Sequence, residues 1–174
     1  MILCSKDIFI MEYISFSDNI IDFILRGNII KLNWYIDSII NIVEVYLSKC
    51  QYLNIDKNIL TNKLENIINN INNNENLKNI KLKECFEYLF EKIDYICSIK
   101  IPQGICHGDL TFSNILIDTH TMKLYLIDLL DSFIESPLLD IIKIRQDTQY
   151  HWTLNLYKFN YDKNKIYIIF NNMG

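Results

Sequence analysis

The feature that most constrains the fold is a polar loop, CHGDLTFSN at 106–114, which lies between a helix breaker and two short apolar runs. The breaker is IPQG at 101–104, because proline lacks an amide donor and disfavours helix in the residue before it. The runs are ILID at 115–118 and KLYLID at 123–128, and the residues THTM at 119–122 separate them. Two short apolar runs around a polar turn predict a β-hairpin. The sequence therefore predicts a loop that leads directly into a hairpin.

Helical periodicity dominates the chain on both sides of this loop. Apolar residues recur at helical spacing over 31–49 and 77–99, and residues 57–70 are expected to form another helix. After the hairpin, SPLLDIIKIRQD predicts a helix with Ser136 at its cap and Pro137 in its first turn. Several helices and one short hairpin predict an α+β, mostly helical chain.

The first residues have a different pattern. DIFIMEYIS at 7–15 is short and apolar, which predicts a buried strand that runs into a loop. Ser17 or Asp18 is expected to cap a short helix over 19–26, and the Gly-Asn pair after it supplies a stop.

Two further segments are less regular. The Asn-rich stretch at 69–76 is polar and of low complexity, which predicts a surface loop. The segment 162–171 is amphipathic and fits either a helix or a strand.

Composition bounds the class of protein. With 174 residues, half of them hydrophobic and 22% charged, the chain is expected to fold as one domain with a real core. The formal net charge of −4 argues against a nucleic-acid binder that relies on a broad basic surface. No apolar run reaches the length of a membrane span, and the first residues do not resemble a signal peptide.

The five cysteines are scattered and include no CxxC pair. An odd number at irregular spacing favours a reduced, cytoplasmic protein and does not indicate a zinc site.

The polar loop contains the side chains that phosphoryl transfer requires. Asp109 and Asn114 lie five residues apart, and Asp128 closes the second apolar run. Transfer from ATP needs one carboxylate to orient the attacking hydroxyl, and an amide oxygen with a second carboxylate to hold Mg²⁺. The same five-residue step occurs in the protein-kinase loop H-R-D-L-x-x-x-N. In this chain Gly108 stands at the position of the Arg of that loop.

Here a resemblance to a known family becomes specific. HGDLTFSNILID followed by LYLIDLLDSFIESPLLDI resembles the aminoglycoside phosphotransferase and choline kinase family, the small-molecule branch of the protein-kinase-like fold. The matching pieces occur in order: His107-Gly108-Asp109, Asn114, Ile127-Asp128-Leu129, and Pro137 to Ile141. The resemblance implies a kinase-like large lobe with a short hairpin after its catalytic loop.

The resemblance also implies a role for each matching residue. Asp109 is the expected catalytic base, which positions the substrate hydroxyl, and Asn114 and Asp128 are the expected Mg²⁺ ligands. His107 is expected to be structural, packing under the loop. Asp140 is expected to be a buried carboxylate at a helix start that braces the loop. ATP is the expected co-substrate.

These residues have other interpretations. An Asp in a turn is commonly a cap, and an Asn after a Ser commonly marks a loop, but the joint spacing favours a catalytic loop. Cys106 beside His107 suggests a Cys–His nucleophile, although neighbours on an extended segment point to opposite faces. Asp131 is best interpreted as a solvated loop carboxylate.

The beginning of the chain resembles the end of the kinase small lobe. DIFIMEYIS is similar to the last small-lobe strand and the hinge, so residues 1–16 are expected to be a remnant of that lobe and 17–174 the large lobe. In this alignment the backbone at Glu12 and Ile14 faces the adenine ring. The sequence has no G-x-G-x-x-G loop and no V-A-I-K-like strand, so the small lobe is expected to be largely absent.

The function implied by the resemblance is ATP- and magnesium-dependent phosphoryl transfer to a hydroxyl of a small polar metabolite of the choline, sugar or aminoglycoside type. The expected partners are this substrate and a small lobe or partner chain that completes the ATP site. The first alternative is an inactive or degenerate kinase-like module that serves as a binding domain. The second is a structural domain whose motif is accidental.

Overall fold

The computed structural model describes residues 3–5, 8–10, 14–15, 17–26, 29–77 and 82–156, with the single residues 162, 164, 166 and 168. The fold is α+β and mainly helical, with small antiparallel sheets. None of the helices in these ranges is both long enough and apolar enough to cross a membrane.

In chain order the elements are β1 (Leu3–Ser5), β2 (Ile8–Ile10), β3 (Ser17–Asn19), α1 (Ile20–Arg26), α2 (Ile29–Ser48), β4 (Gln51–Asn54), α3 (Lys57–Asn72), α4 (Lys83–Ser98), β5 (Lys100–Gln103), a 3₁₀ turn (Phe112–Asn114), β6 (Ile115–Asp118), β7 (Lys123–Leu126), α5 (Pro137–Tyr150) and α6 (Trp152–Leu156).

The chain folds into two compact units, and both are discontinuous in sequence. The first unit consists of Met1–Ile42, Asp109–Leu129 and Ile141–Gly174. The second unit consists of Val43–Gly108 and Leu130–Asp140.

The first unit contains the predicted hairpin, in which β6 pairs with β7 in antiparallel register. A third strand, β3, pairs with the other edge of β6, with Ser17 opposite Asp118. Ile115 and Ile117 on β6 are fully buried, as are Ile20 and Ile21 on α1. Because buried and partly exposed residues alternate along β6, one face of the hairpin packs against the core of this unit.

Three aromatic rings extend this core. The Tyr35 ring lies with its centroid 6.0 Å from that of Phe23 and 6.3 Å from that of Phe112, which it meets edge-on. All three side chains are buried. The ring of Phe112 thereby anchors the polar loop to the core.

The predicted cap of the first helix is wrong by one or two residues. Ser17 and Asp18 lie in β3, and Asn19 caps α1 instead. Oδ1 of Asn19 accepts the backbone N–H of Asp22 at 2.9 Å, and its Nδ2 donates to Oδ2 of Asp22 at 2.7 Å. The pairing of β3 with β6 moves the cap to the last residue of the strand.

The predicted strand at the start of the chain is confirmed over Ile8–Ile10, where β2 pairs with β1. Residues 7 and 11–13 of that segment, and the burial of the strand, lie outside what the structure describes, and residues 14–15 are in a loop and a turn.

The second unit contains a two-stranded sheet that the sequence did not predict. β4 pairs with β5 in antiparallel register, with Gln51 opposite Gln103. The breaker at 101–104 does end the preceding helix, and the chain continues as β5. Four-residue strands with partners about fifty positions away give little local signal.

The helices of the second unit differ from the sequence prediction at their ends. α3 starts where predicted, and its N-cap Asp56 accepts the N–H of Asn58 at 2.9 Å. It continues to Asn72, so the surface loop predicted at 69–76 is wrong over its first four residues. The helical period is carried through Ile71, while the asparagines occupy the exposed side. α4 starts at Lys83, and the predicted helix is therefore wrong at Leu77, which lies in a turn.

α5 starts at the predicted position. Oγ of Ser136 accepts the N–H of Leu138 at 3.3 Å, as expected of an N-cap, and donates to the carbonyl oxygen of Pro102 at 2.6 Å. In the segment 162–171, residues 164, 166 and 168 are helical, and the others apart from 162 lie outside the described residues.

Candidate active site

The predicted base and the predicted metal ligand of the polar loop lie in direct contact within the first unit. Nδ2 of Asn114 donates to Oδ2 of Asp109 at 3.0 Å and to the carbonyl oxygen of Asp109 at 2.8 Å. Oδ1 of Asp109 forms an ion pair with Nζ of Lys143, at 2.9 Å. Both carboxylate oxygens are therefore held, one by the loop and one by α5.

Asn114 is buried and ends the 3₁₀ turn. Its backbone N–H donates to the carbonyl oxygen of Thr111 at 3.0 Å, which closes the turn. Because the amide nitrogen donates to Asp109, Oδ1 is the atom of this amide that could bind a cation, and it accepts a long contact of 3.4 Å from Oγ of Ser113. The turn thus presents an amide oxygen.

Asp128 lies at the same end of the hairpin as Asn114. The backbone N–H of Ile127 donates to the carbonyl oxygen of Asn114 at 3.0 Å, which extends the β6–β7 pairing by one bond. Asp128 follows with a φ of 57° and an exposed side chain. A left-handed backbone is unfavourable for a residue with a Cβ, and such strain concentrates at functional sites.

These two residues fit a magnesium ion by the chemistry of their donors. Mg²⁺ prefers oxygen ligands, takes one or two from protein side chains and completes its shell with phosphate oxygens and waters. The amide oxygen of Asn114 and the carboxylate of Asp128 are such a pair. Among the described residues, no group of three or more His, Cys, Asp or Glu side chains could hold a metal.

Two further predicted residues, His107 and Asp140, lie in the second unit. Asp140 is fully buried, and its two carboxylate oxygens accept the backbone N–H groups of His107, at 2.8 Å, and Gly108, at 2.9 Å. His107 is also fully buried, and its carbonyl oxygen accepts the N–H of Leu130 at 3.1 Å. The carboxylate of Asp140 therefore fixes the backbone where the H-G-D motif begins.

Gly108 has a conformation that a larger residue could adopt only under strain. Its φ is 81°, and a Cβ at this position would lie 2.1 Å from the carbonyl oxygen of Leu130. A glycine is therefore required between His107 and Asp109, which gives a physical reason why no Arg occupies this position.

Asp147, a buried carboxylate of α5 in the first unit, was not predicted from the sequence. Its Oδ2 accepts the N–H of Phe112 at 2.5 Å, and its Oδ1 accepts the N–H of Thr153 at 2.7 Å. Burial raises the pKa of Asp147, the two backbone donors oppose that rise, and the negative charge of Asp109 adds to it. Asp147 ties the 3₁₀ turn to the start of α6.

Lys143 was not predicted from the sequence either. The available signal was the spacing of Asp140, Lys143 and Asp147, which follow one another at three and four residues and so share a face of a helix.

The remaining residues singled out in the sequence make no described contact with Asp109 or Asn114. Glu12 lies outside the described residues, while Ile14 precedes β3 and its carbonyl oxygen accepts Oγ of Ser17 at 3.0 Å. Asp131 is exposed. Sγ of Cys106 lies 3.8 Å from Oγ of Ser132.

Searches of protein-family models, curated proteins and solved structures give no significant match to this chain. The assignment of a function therefore depends on the chemistry of the site itself.

Proposed function

We propose that this chain is an ATP- and magnesium-dependent phosphotransferase, which acts on a hydroxyl group of a small polar metabolite such as choline, a sugar or an aminoglycoside. In this proposal its helices and hairpin correspond to the large lobe of a protein-kinase-like fold, in the aminoglycoside phosphotransferase and choline kinase family. The observation that carries the proposal is the direct hydrogen bond from Asn114 to Asp109, at the end of the hairpin where Asp128 lies.

Each side chain has a separate task in this reaction. The Asp109 carboxylate accepts a hydrogen bond from the substrate hydroxyl, orients its oxygen and takes its proton as the new bond forms. Asn114 and Asp128 would hold Mg²⁺, which supplies positive charge against the phosphate oxygens of ATP when bound. Asp140 and Asp147 fix the backbone on either side of Asp109, since they accept N–H groups of Gly108 and Phe112.

ATP binding also requires groups that cover its phosphates. The sequence contains no glycine-rich phosphate loop of the G-x-G-x-x-G type. We propose that a small lobe or a partner chain adds these contacts and strengthens the binding that Asn114 and Asp128 give this chain through Mg²⁺, because a kinase-like site takes its phosphate-binding Lys and backbone donors from that lobe.

Calorimetry with ATP and Mg²⁺ tests the metal assignment. We expect Asp128→Ala to weaken Mg·ATP binding at least tenfold, because a charged metal ligand is lost. The matched control is Asp131→Ala, an exposed carboxylate of the same segment, which should stay within twofold of the original chain. Wild-type protein that does not bind Mg·ATP, or that binds it equally well after Asp128→Ala, would contradict the proposal.

A coupled assay with choline, ethanolamine, sugars and aminoglycosides tests the reaction. We expect Asp109→Asn to lower transfer by about 10²–10⁴-fold while Mg·ATP binding is nearly unchanged. Binding of Mg·ATP without transfer to any acceptor would favour a kinase-like binding module instead.

A further inference from the structure

We propose that Lys143 is a further functional residue of this site, which neutralises the Asp109 carboxylate and binds the phosphoryl group while it is transferred. This inference rests on the proposed phosphotransferase function. Its basis is the ion pair of 2.9 Å between Nζ of Lys143 and Oδ1 of Asp109.

The exposure of this ion pair suits a role in binding. The side chains of Lys143 and Asp109 are 35% and 28% exposed, so the pair is shielded from bulk water and still accessible to a ligand. A lysine ammonium carries three N–H donors. The ion pair with Asp109 occupies at most one of them, which leaves donors for a second anion at the same place.

Electrostatics explains why a cation is needed here. During transfer, a lone pair of the acceptor hydroxyl forms a bond to the γ-phosphorus of ATP. The bond from that phosphorus to the bridging oxygen breaks, its electron pair leaves with ADP, and the hydroxyl proton passes to Asp109. The anionic oxygens of the phosphoryl group must therefore approach a carboxylate, and like charges a few ångströms apart repel strongly in a partly dry site. An ammonium group that contacts both anions offsets that repulsion, because it attracts each of them.

The surrounding contacts hold the lysine where this role requires it. Asn114 fixes the other oxygen of Asp109, at 3.0 Å. One turn further along α5, Asp147 binds the backbone of Phe112 at 2.5 Å. The helix that carries Lys143 is thus tied to the loop that carries Asp109, and little reorganisation is needed when a ligand binds.

The test compares the affinities of the full chain for Mg·ATP and Mg·ADP by calorimetry. Only ATP carries the phosphoryl group that Lys143 would contact. We expect Lys143→Met to weaken Mg·ATP binding about tenfold, as the loss of a charge-assisted contact does, and to change Mg·ADP binding less than twofold. Lys143→Arg should retain most of the preference for ATP, because it keeps the charge. The control is Lys123→Met, an exposed lysine of β7, which should alter neither affinity.

A purely structural lysine would produce a different result. It would change the melting temperature and weaken both nucleotides alike, and that outcome would overturn the inference, as would an unchanged ratio of the two affinities in Lys143→Met. If the wild-type protein binds neither nucleotide, the phosphotransferase proposal fails first and the role of Lys143 falls with it. If the wild type binds Mg·ATP more tightly than Mg·ADP and Lys143→Met does not, the phosphotransferase proposal and the role of Lys143 are both supported.

Discussion

The backbone N–H of Phe112 donates to Oδ2 of Asp147 at 2.5 Å, across 35 positions of sequence. The second oxygen of the same carboxylate accepts the N–H of Thr153 at 2.7 Å. The single buried side chain of Asp147 therefore holds the 3₁₀ turn at the end of the candidate loop and also binds the backbone in the first turn of α6. Its ionisation should be visible in the stability of the protein.

Burial raises the pKa of Asp147 above its ordinary value of 3.8. Between pH 3.8 and the raised value, the folded state binds more protons than the unfolded state, so this group contributes less stability as pH rises through that window. We expect Asp147→Asn to be less stable than wild type because it loses one acceptor oxygen, and the difference should shrink as pH rises. Urea unfolding at several pH values measures this trend. A difference that is constant with pH would contradict it.

Asp140→Asn tests the bracing of the loop in the second unit. Because both oxygens of Asp140 accept backbone N–H groups, an amide nitrogen would face one of these donors and leave it unpaired. We expect a loss of about 1–3 kcal/mol in the free energy of unfolding, measured with urea. Asp131→Asn, at an exposed loop carboxylate, is the matched control and should change little. Equal losses in the two variants would show that the two hydrogen bonds add no stability.

Gly108→Ala tests the close approach of the loop to Leu130. The new Cβ would lie 2.1 Å from a carbonyl oxygen, on a backbone with φ of 81°. We expect destabilisation of about 1–3 kcal/mol by chemical unfolding. The control is Gly104→Ala, whose nearest contact would be Sγ of Cys50 at 3.1 Å, and whose cost should be smaller. The reverse order of the two variants would contradict this geometry.

Tyr35→Phe tests a buried hydroxyl. Within the described part of the chain, the hydroxyl oxygen of Tyr35 has no hydrogen-bond partner, and the residue is fully buried. We expect its removal to leave stability unchanged or to raise it by about 1 kcal/mol, because an unsatisfied polar group is lost while the ring stays.

The same substitution should alter the response to alkali. Burial, and secondarily the charge of Asp147, raises the pKa of Tyr35 well above 10.0. Above pH 10 the unfolded chain therefore ionises first, and the wild type loses stability that Tyr35→Phe retains. Thermal unfolding at about pH 9 and pH 11 measures this, with the exposed Tyr95→Phe as control. If wild type, Tyr35→Phe and Tyr95→Phe lose the same stability between about pH 9 and pH 11, the raised pKa of Tyr35 is contradicted.

Local patterns predicted the parts of the fold that depend on neighbours in sequence. The hairpin of β6 and β7 is set by two apolar runs and a polar turn, and it is found where predicted. Ser136 caps α5 because a short hydroxyl side chain precedes a proline and a helical pattern. Both signals act within a few residues.

Parts that depend on distant partners could not be predicted in this way. Gln51 is in a strand only because it pairs with Gln103, and Asn19 becomes a cap because β3 pairs with β6. The candidate site shows the same division. Asp109 and Asn114 were found from their spacing, whereas the contacts of Lys143 and Asp147 with the loop arise only when α5 packs beside it.

The division of both units into separate segments has a consequence for synthesis on the ribosome. Residues Val43–Gly108 of the second unit emerge long before Leu130–Asp140, which completes it. The first unit waits still longer, since its final segment begins at Ile141. Contacts between distant segments form slowly and only after both are available. The nascent chain must therefore hold helical pieces of both units without their closing partners, and the loop at Asp109 can take its final form only after α5 has left the exit tunnel.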